Sequence, residues 1–176
     1  MAGLSNAVRA HRYERVRQFM RENQYDALAF TSSDWFEWLS NYEITDQSFE
    51  RPYVLLVTAD ARSFAVSSNL GRYGMATQAR HGRFWLDSII HYSETPDRSQ
   101  HKWVATQWHE MMVEMLRAAG LERGRIATES AGTLLAPATA VFPQLQIVQP
   151  HPDLRNVRRV KHADEIATMR RCASLS

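Results

Sequence analysis

Chemistry needs acids, bases, nucleophiles or metal ligands at spacings that let them meet, and this chain carries several partial sets. His109-Glu110 opens like the His-Glu-x-x-His pattern of a zinc helix, in which two histidines one turn apart share an ion. Position 113 is Val, so the second ligand is missing, and a solvated polar face on a Met-rich helix is the plainer reading. His91, Glu94, Asp97 and His101 gather across one loop with atoms suited to a divalent ion; polar loops of this kind are more often simply hydrated. Asp34 and Asp46 can pair in principle, with nothing downstream to complete a ligand set. Cys172 is the only cysteine, which excludes an internal disulfide and a cysteine-rich zinc site. It falls on the apolar side or edge of a helix, where a buried inert thiol is commoner than a reactive one. There is no Gly-x-Ser-x-Gly elbow and no Walker phosphate loop, and Gly71 and Gly74 lack the third glycine of a dinucleotide fingerprint. No complete catalytic set is present.

The elements that would position these residues alternate between helical and extended patterns. Val8 to Glu22 reads as a helix with Tyr13, Val16, Phe19 and Met20 inward, ended by Asn23-Gln24. Asp26 to Thr31 follows as a short buried strand, and Ser32-Ser33-Asp34 supplies N-cap chemistry for a helical turn over Trp35 to Ser40. Pro52 to Val57 is the strongest strand, since Pro at the first position removes no ladder donor. A turn over Thr58 to Arg62 leads into Ser63 to Ser67, which predicts an antiparallel hairpin. Leu70 to Ala79 is a weak helix with Leu70, Tyr73 and Thr77 on one side; Met75 falls off that face, and two glycines lower its propensity. Arg83 to Tyr92 contains extended pieces. Ser99 to Ala119 is the longest helix, with Val104, Trp108, Met111, Met112 and Met115 on one side and Gly120 at its C-terminus. Arg125 to Thr128 and Gln146 to Gln149 are further strands, separated by a helix over Leu134 to Val141, and Pro150 to Arg159 reads as a connector. Such alternation predicts an α/β layer fold with a mixed sheet.

The last stretch, Arg155 to Ser176, begins a helix that meets no Gly or Asn stop signal. Asp164 and Glu165 favour its N-terminus, and Ile166, Met169 and Ala173 mark one apolar stripe. That stripe is expected to pack on a part of the protein outside this chain. The 176 residues fit one domain, and 44% hydrophobic with 23% charged residues is an ordinary globular balance. A formal net charge of +2 provides no strong field for a nucleic acid or an acidic membrane. Only Lys102 and Lys161 are lysines, a bias toward Arg that reads as genome composition. No apolar run approaches the ~20 residues needed to span a bilayer, and the first ten residues lack the apolar core of a signal peptide. With one cysteine, a reducing, cytoplasmic compartment is expected.

Three stretches, in order, carry a family resemblance. Arg12-Tyr-Glu-Arg-Val-Arg-Gln-Phe-Met20 is followed by Tyr25-Asp-Ala-Leu-Ala-Phe-Thr-Ser32; then come Ser48-Phe-Glu-Arg-Pro-Tyr-Val-Leu-Leu-Val-Thr58 and Arg159-Val-Lys-His-Ala-Asp-Glu-Ile-Ala-Thr-Met-Arg-Arg-Cys-Ala173. Together they resemble the N-terminal domain of the creatinase, prolidase (Xaa-Pro dipeptidase) and aminopeptidase P family, the second stretch being similar to creatinase-like members. The resemblance implies a three-layer α/β domain of ribonuclease H-like topology over residues 1–160. Residues 161–176 would start the linker helix into a C-terminal catalytic domain of pita-bread fold. That absent domain would carry two Asp, one His and two Glu around a divalent metal pair (manganese, or else zinc or cobalt). The expectation is therefore that this chain binds no cofactor and is inactive alone, while its parent is a metal-dependent hydrolase.

By the same resemblance the N-terminal domain serves dimerisation and closes the substrate pocket. Phe49 and Arg51 stand where creatinase-like members hold substrate, Arg51 engaging a carboxylate bidentately and Phe49 excluding water. The alternative is that Phe49 packs locally and Arg51 is an exposed strand-entry residue. The expected partners are the catalytic domain, a second copy, and a small peptide or amidine-type substrate, with neither nucleic acid nor membrane. The chain departs from the family at Trp38-Leu-Ser-Asn-Tyr42, where a Tyr-Leu-Thr-Gly-Phe-like segment is usual. The aromatics Trp35, Phe36, Trp38 and Tyr42 either line a pocket or dimer contact or, more simply, cap the core. A second functional reading is a catalytically dead relative that binds proteins. A third, a nuclease of ribonuclease H type, would need more strand-end carboxylates than Asp26 and Asp60.

Overall fold

In the computed structural model, residues 4–44, 51–94, 104–129 and 135–175 are described. Helix α1 (Asn6–Asn23) starts at Ser5, whose side chain accepts from the Val8 N–H, and ends at Gln24 in the left-handed region. It is followed by β1 (Ala27–Phe30), α2 (Ser33–Ser40), the hairpin β2 (Val54–Thr58) and β3 (Ser63–Ser68), α3 (Arg72–Arg80) and β4 (Ser88–Tyr92). Then come α4 (Val104–Ala119), β5 (Arg123–Thr128), α5 (Ala136–Val141), β6 (Gln144–Val148) and α6 (Ala163–Ala173).

The strands make one sheet in the order β4-β3-β2-β1-β5-β6. β2 is antiparallel to both neighbours, whereas β1, β5 and β6 run parallel, as do β3 and β4. Alternation along the strands builds a hydrophobic layer on each face. Leu28, Phe30, Leu55 and Val57 join the side chains of α1 and α2; Ala27, Ala29, Val54 and Leu56 join Trp108, Met112, Met115 and Leu116 of α4. Sheet plus a helical layer on either side is the α/β layer fold with a mixed sheet that the alternation predicts, in the three layers the resemblance implies.

α4 closes as its sequence requires. Gly120 takes φ +74, and the N–H of Leu121 reaches the carbonyl of Leu116 at 2.8 Å, satisfying carbonyls that would otherwise be orphaned. Residues 99–103 of the expected helix lie outside the described residues. The aromatic segment settles into the core: Trp35, Phe36 and Trp38 are buried, and Trp35 stacks on Phe30 at 4.6 Å.

The structure corrects three expectations. Over the expected Leu70 to Ala79 helix the inward face is reversed: Leu70, in a 3-10 turn just before α3, and Tyr73 of α3 are exposed at 57% and 84%, while Met75 is buried. The cause is Gly74, where a Cβ would lie 2.6 Å from the Tyr42 hydroxyl, so the glycine side of the helix can approach the body closely. Pro150 to Arg159 is no plain connector, because Pro152–Arg158 forms a 3-10 helix that buries Leu154 and Val157 in the core. Cys172 is exposed rather than buried. Ile166 and Met169 of the terminal stripe have no cover within this chain, which does not contradict the expectation for them. Among the described residues no helix is long and apolar enough to cross a membrane.

Candidate functional site

Because β2 runs against the other strands, its amino end lies at the sheet edge where β3 and β4 finish. Arg51 therefore arrives beside residues that follow those strands. Its Nε donates to Glu94 Oε2 at 3.0 Å and lies 2.9 Å from Oε1. The Glu94 N–H donates to Asn69 Oδ1 at 3.3 Å, and Asn69 Nδ2 donates to Ser93 Oγ at 3.4 Å. Gln107 of α4 grips the Ser93 backbone from both sides, accepting from its N–H at 2.9 Å and donating to its carbonyl at 3.0 Å. Phe49, the expected companion of Arg51, lies outside the described residues.

His91 stands next to this array. Its Nδ1 is 3.1 Å from the Ser68 carbonyl oxygen and 3.2 Å from Ser67 Oγ; a carbonyl only accepts, so Nδ1 carries the proton in that contact. Burial pulls its pKa below the usual histidine value, against the Ser68 hydrogen bond and with the charge of Arg72 adding to the fall. The ring is thus a neutral donor near pH 7. On the same sheet edge, Glu129 Oε1 accepts from the N–H groups of Thr31 and Ser32 at 2.9 and 2.7 Å. The start of α2 is tied by this distant carboxylate, since Ser32 makes no side-chain cap.

A second charged centre joins the two ends of the chain. Glu165 Oε1 accepts from Arg12 Nη2 at 2.6 Å and Nε at 3.1 Å, with both side chains less than one-tenth exposed. Arg12 also donates to the Trp38 carbonyl and lies over the rings of Trp38 and Trp85. Glu165 Oε2 takes the His162 N–H at 2.7 Å, and the His162 side chain accepts from Asp164, closing a capping box. Beside this pair is a cleft of about 340 Å³ bordered by Asp34, Glu37, Trp38, Glu43 and Arg158, away from Arg51. Burial and the charges of Glu43 and Asp34 raise the Glu37 pKa, against Arg158.

The other sequence candidates separate. Asp26 accepts from the N–H of Arg125, on the distant strand β5, at 2.7 Å, whereas Asp60 binds Thr58 and Arg62 within its own turn, so the two aspartates do separate structural work. Asp34 faces Arg158 at 3.5 Å; Asp46, Asp97 and His101 lie outside the described residues. Val113 is turned to the core. Among the described residues no three His, Cys, Asp or Glu side chains gather as metal ligands.

The array is thus one of positioning groups at the edge of an α/β domain. The family model for the creatinase/prolidase N-terminal domain matches residues 12–160. The chain belongs to that family. Solved structures share the fold at low identity: the dipeptidase PepE of Mycobacterium ulcerans has a TM-score of 0.63 and 16% identity, covering 94% of this chain and 40% of that one. The aminopeptidase P (Xaa-Pro aminopeptidase) of Streptococcus thermophilus has a TM-score of 0.54 and 16% identity, covering 85% and 98%. For the N-terminal domain of an X-Pro dipeptidase from Streptococcus pyogenes the values are 0.56 and 12%, covering 82% and 96%. The chain spans less than half the length of the M. ulcerans dipeptidase. No curated protein sequence matches it.

Proposed function

We propose that this domain holds and covers the substrate of a metal-dependent peptidase cleaving bonds next to proline, and that it helps pair two subunits. Arg51 is the residue that would bind the substrate carboxylate. The observation that supports this reading is the guanidinium at the sheet edge, 36% exposed and braced by Glu94. Ligands of open α/β sheets favour the edge where parallel strands end. In this reading the domain contributes no reacting group; metal and nucleophile would come from a separate catalytic domain.

The test is Arg51→Ala in the full-length protein, assayed on an Xaa-Pro dipeptide. Losing a charged hydrogen-bond partner is worth about 1.5–3 kcal/mol, so KM should rise roughly ten- to a hundredfold. Unchanged KM and kcat would remove Arg51 from the pocket.

A further inference from the structure

We propose that the cleft between α1 and the 3-10 helix Pro152–Arg158 binds a free amino acid with an apolar side chain. Arg15 takes its carboxylate, and the carboxylates of Glu22 and Asp153 face its ammonium group. The cleft holds about 270 Å³ and is bordered by Arg15, Phe19 and Glu22 on one side and by Asp153 and Val157 on the other. It shares no residue with the rim that carries Arg51. Arg15 is half-buried and, among the described residues, makes no hydrogen bond or ion pair. Every other half-buried arginine described has an acceptor, as Arg9 has Asp87, Arg17 has Glu14 and Arg158 has Asp34. A guanidinium partly withdrawn from water and left without an acceptor calls for one from outside. Its Nε is covered by protein, whereas its two terminal nitrogens are not. Those two are the pair that receives a carboxylate end-on, with two parallel hydrogen bonds.

The charges around the opening select the ligand. Glu22 and Asp153 line the same cleft as Arg15, yet neither comes within ion-pair reach of it. One oxygen of each is already engaged, by Gln18 at 2.8 Å and by Asn156 at 2.8 Å. Opposite charges that border one opening without meeting suit a molecule that carries both. A phosphate dianion would instead meet two negative groups for one positive. Phe19 and Val157, both buried in the core, give the floor hydrocarbon against which an apolar side chain can pack. The volume falls just below the roughly 300–1,000 Å³ of pockets for drug-sized ligands, which suits a single amino acid.

The probe is L-leucine, titrated into the full chain at pH 7 and followed by calorimetry and by the NMR signal of the Arg15 Nε–H. Leucine should shift that signal, and Arg15→Ala should weaken binding roughly tenfold or more. Arg15→Lys, which keeps the charge and loses the fork, should recover part of the affinity. Leucine amide lacks the carboxylate and isocaproate lacks the ammonium group, so each should bind roughly tenfold more weakly than leucine. Glu22→Gln should weaken leucine and leave isocaproate unchanged. If leucine, isocaproate and inorganic phosphate bind equally well, Arg15 is a general anion contact and the amino-acid assignment is overturned. It is equally overturned if leucine binds wild type and Arg15→Ala alike, or if no probe binds at millimolar concentration. Arg15→Lys and the two leucine analogues carry the test should the alanine variant not fold.

Discussion

Arg12 and Glu165 show how one pair of side chains can bind distant parts of a chain. Burial opposes the Glu165 charge, but hydrogen bonds from His162 and Arg12 and the charges of Arg12 and Lys161 outweigh it, so its pKa is lowered from 4.5. Burial works against the Arg12 charge as well, with Arg158 adding to it, and the carboxylate is therefore the group whose titration reports on the pair. A carboxylate with a depressed native pKa stabilises the fold fully above its unfolded value, and loses that contribution as pH falls through the native one. The stability gap between wild type and Glu165→Gln should be constant from pH 7 to about 5 and shrink below 4.5, as read from urea denaturation. Arg12→Ala, which strands a buried carboxylate, should cost about 3–5 kcal/mol. In the sequence Arg12 is one basic residue among 21, and Glu165 reads only as an N-terminal helix carboxylate. Glu94 was likewise legible only as a loop carboxylate of a metal cluster. Its true partner is 43 positions away, and nothing local announces a contact that the direction of β2 creates.

At the level of elements, strand and helix positions follow from periodicity, while the face a helix presents does not always do so. The hairpin, the α4 stripe and its Gly120 stop were legible because pattern and turn chemistry agree there. At α3 and the turn before it the apolar residues Leu70 and Tyr73 point to one face and a close approach at Gly74 dictates another. An absent side chain has no weight in a hydrophobic pattern, which is why the reversal was hidden. The same feature predicts a change of sign. Gly74→Ala places a methyl group against the Tyr42 hydroxyl and should lower stability in the wild-type background. In a Tyr42→Phe background the nearest ring carbon is 3.5 Å away, and the same change should stabilise by about 0.5–1 kcal/mol through helix propensity. Thermal melts of the four proteins check this. The sequence of Pro150 to Arg159 misleads differently: two prolines and polar residues look like linker, yet Leu154 and Val157 are spaced to reach the core together.

Across the whole molecule, a single sheet serves two hydrophobic layers, so neither layer can come apart without uncovering the other. Leu28→Ala on one face and Leu56→Ala on the other should each cost about 2–5 kcal/mol. Each variant should still unfold in one transition seen alike by tryptophan fluorescence and far-UV circular dichroism; two separated transitions would show that the layers are independent. The lone reversed strand has a further consequence. It sends the Thr58–Arg62 bend to the rim opposite Arg51 and Glu94, with the full height of the sheet between them. A fluorophore, affinity handle or grafted peptide at Ala59 would therefore report on this domain from its blind side, leaving the rim that carries Arg51 untouched.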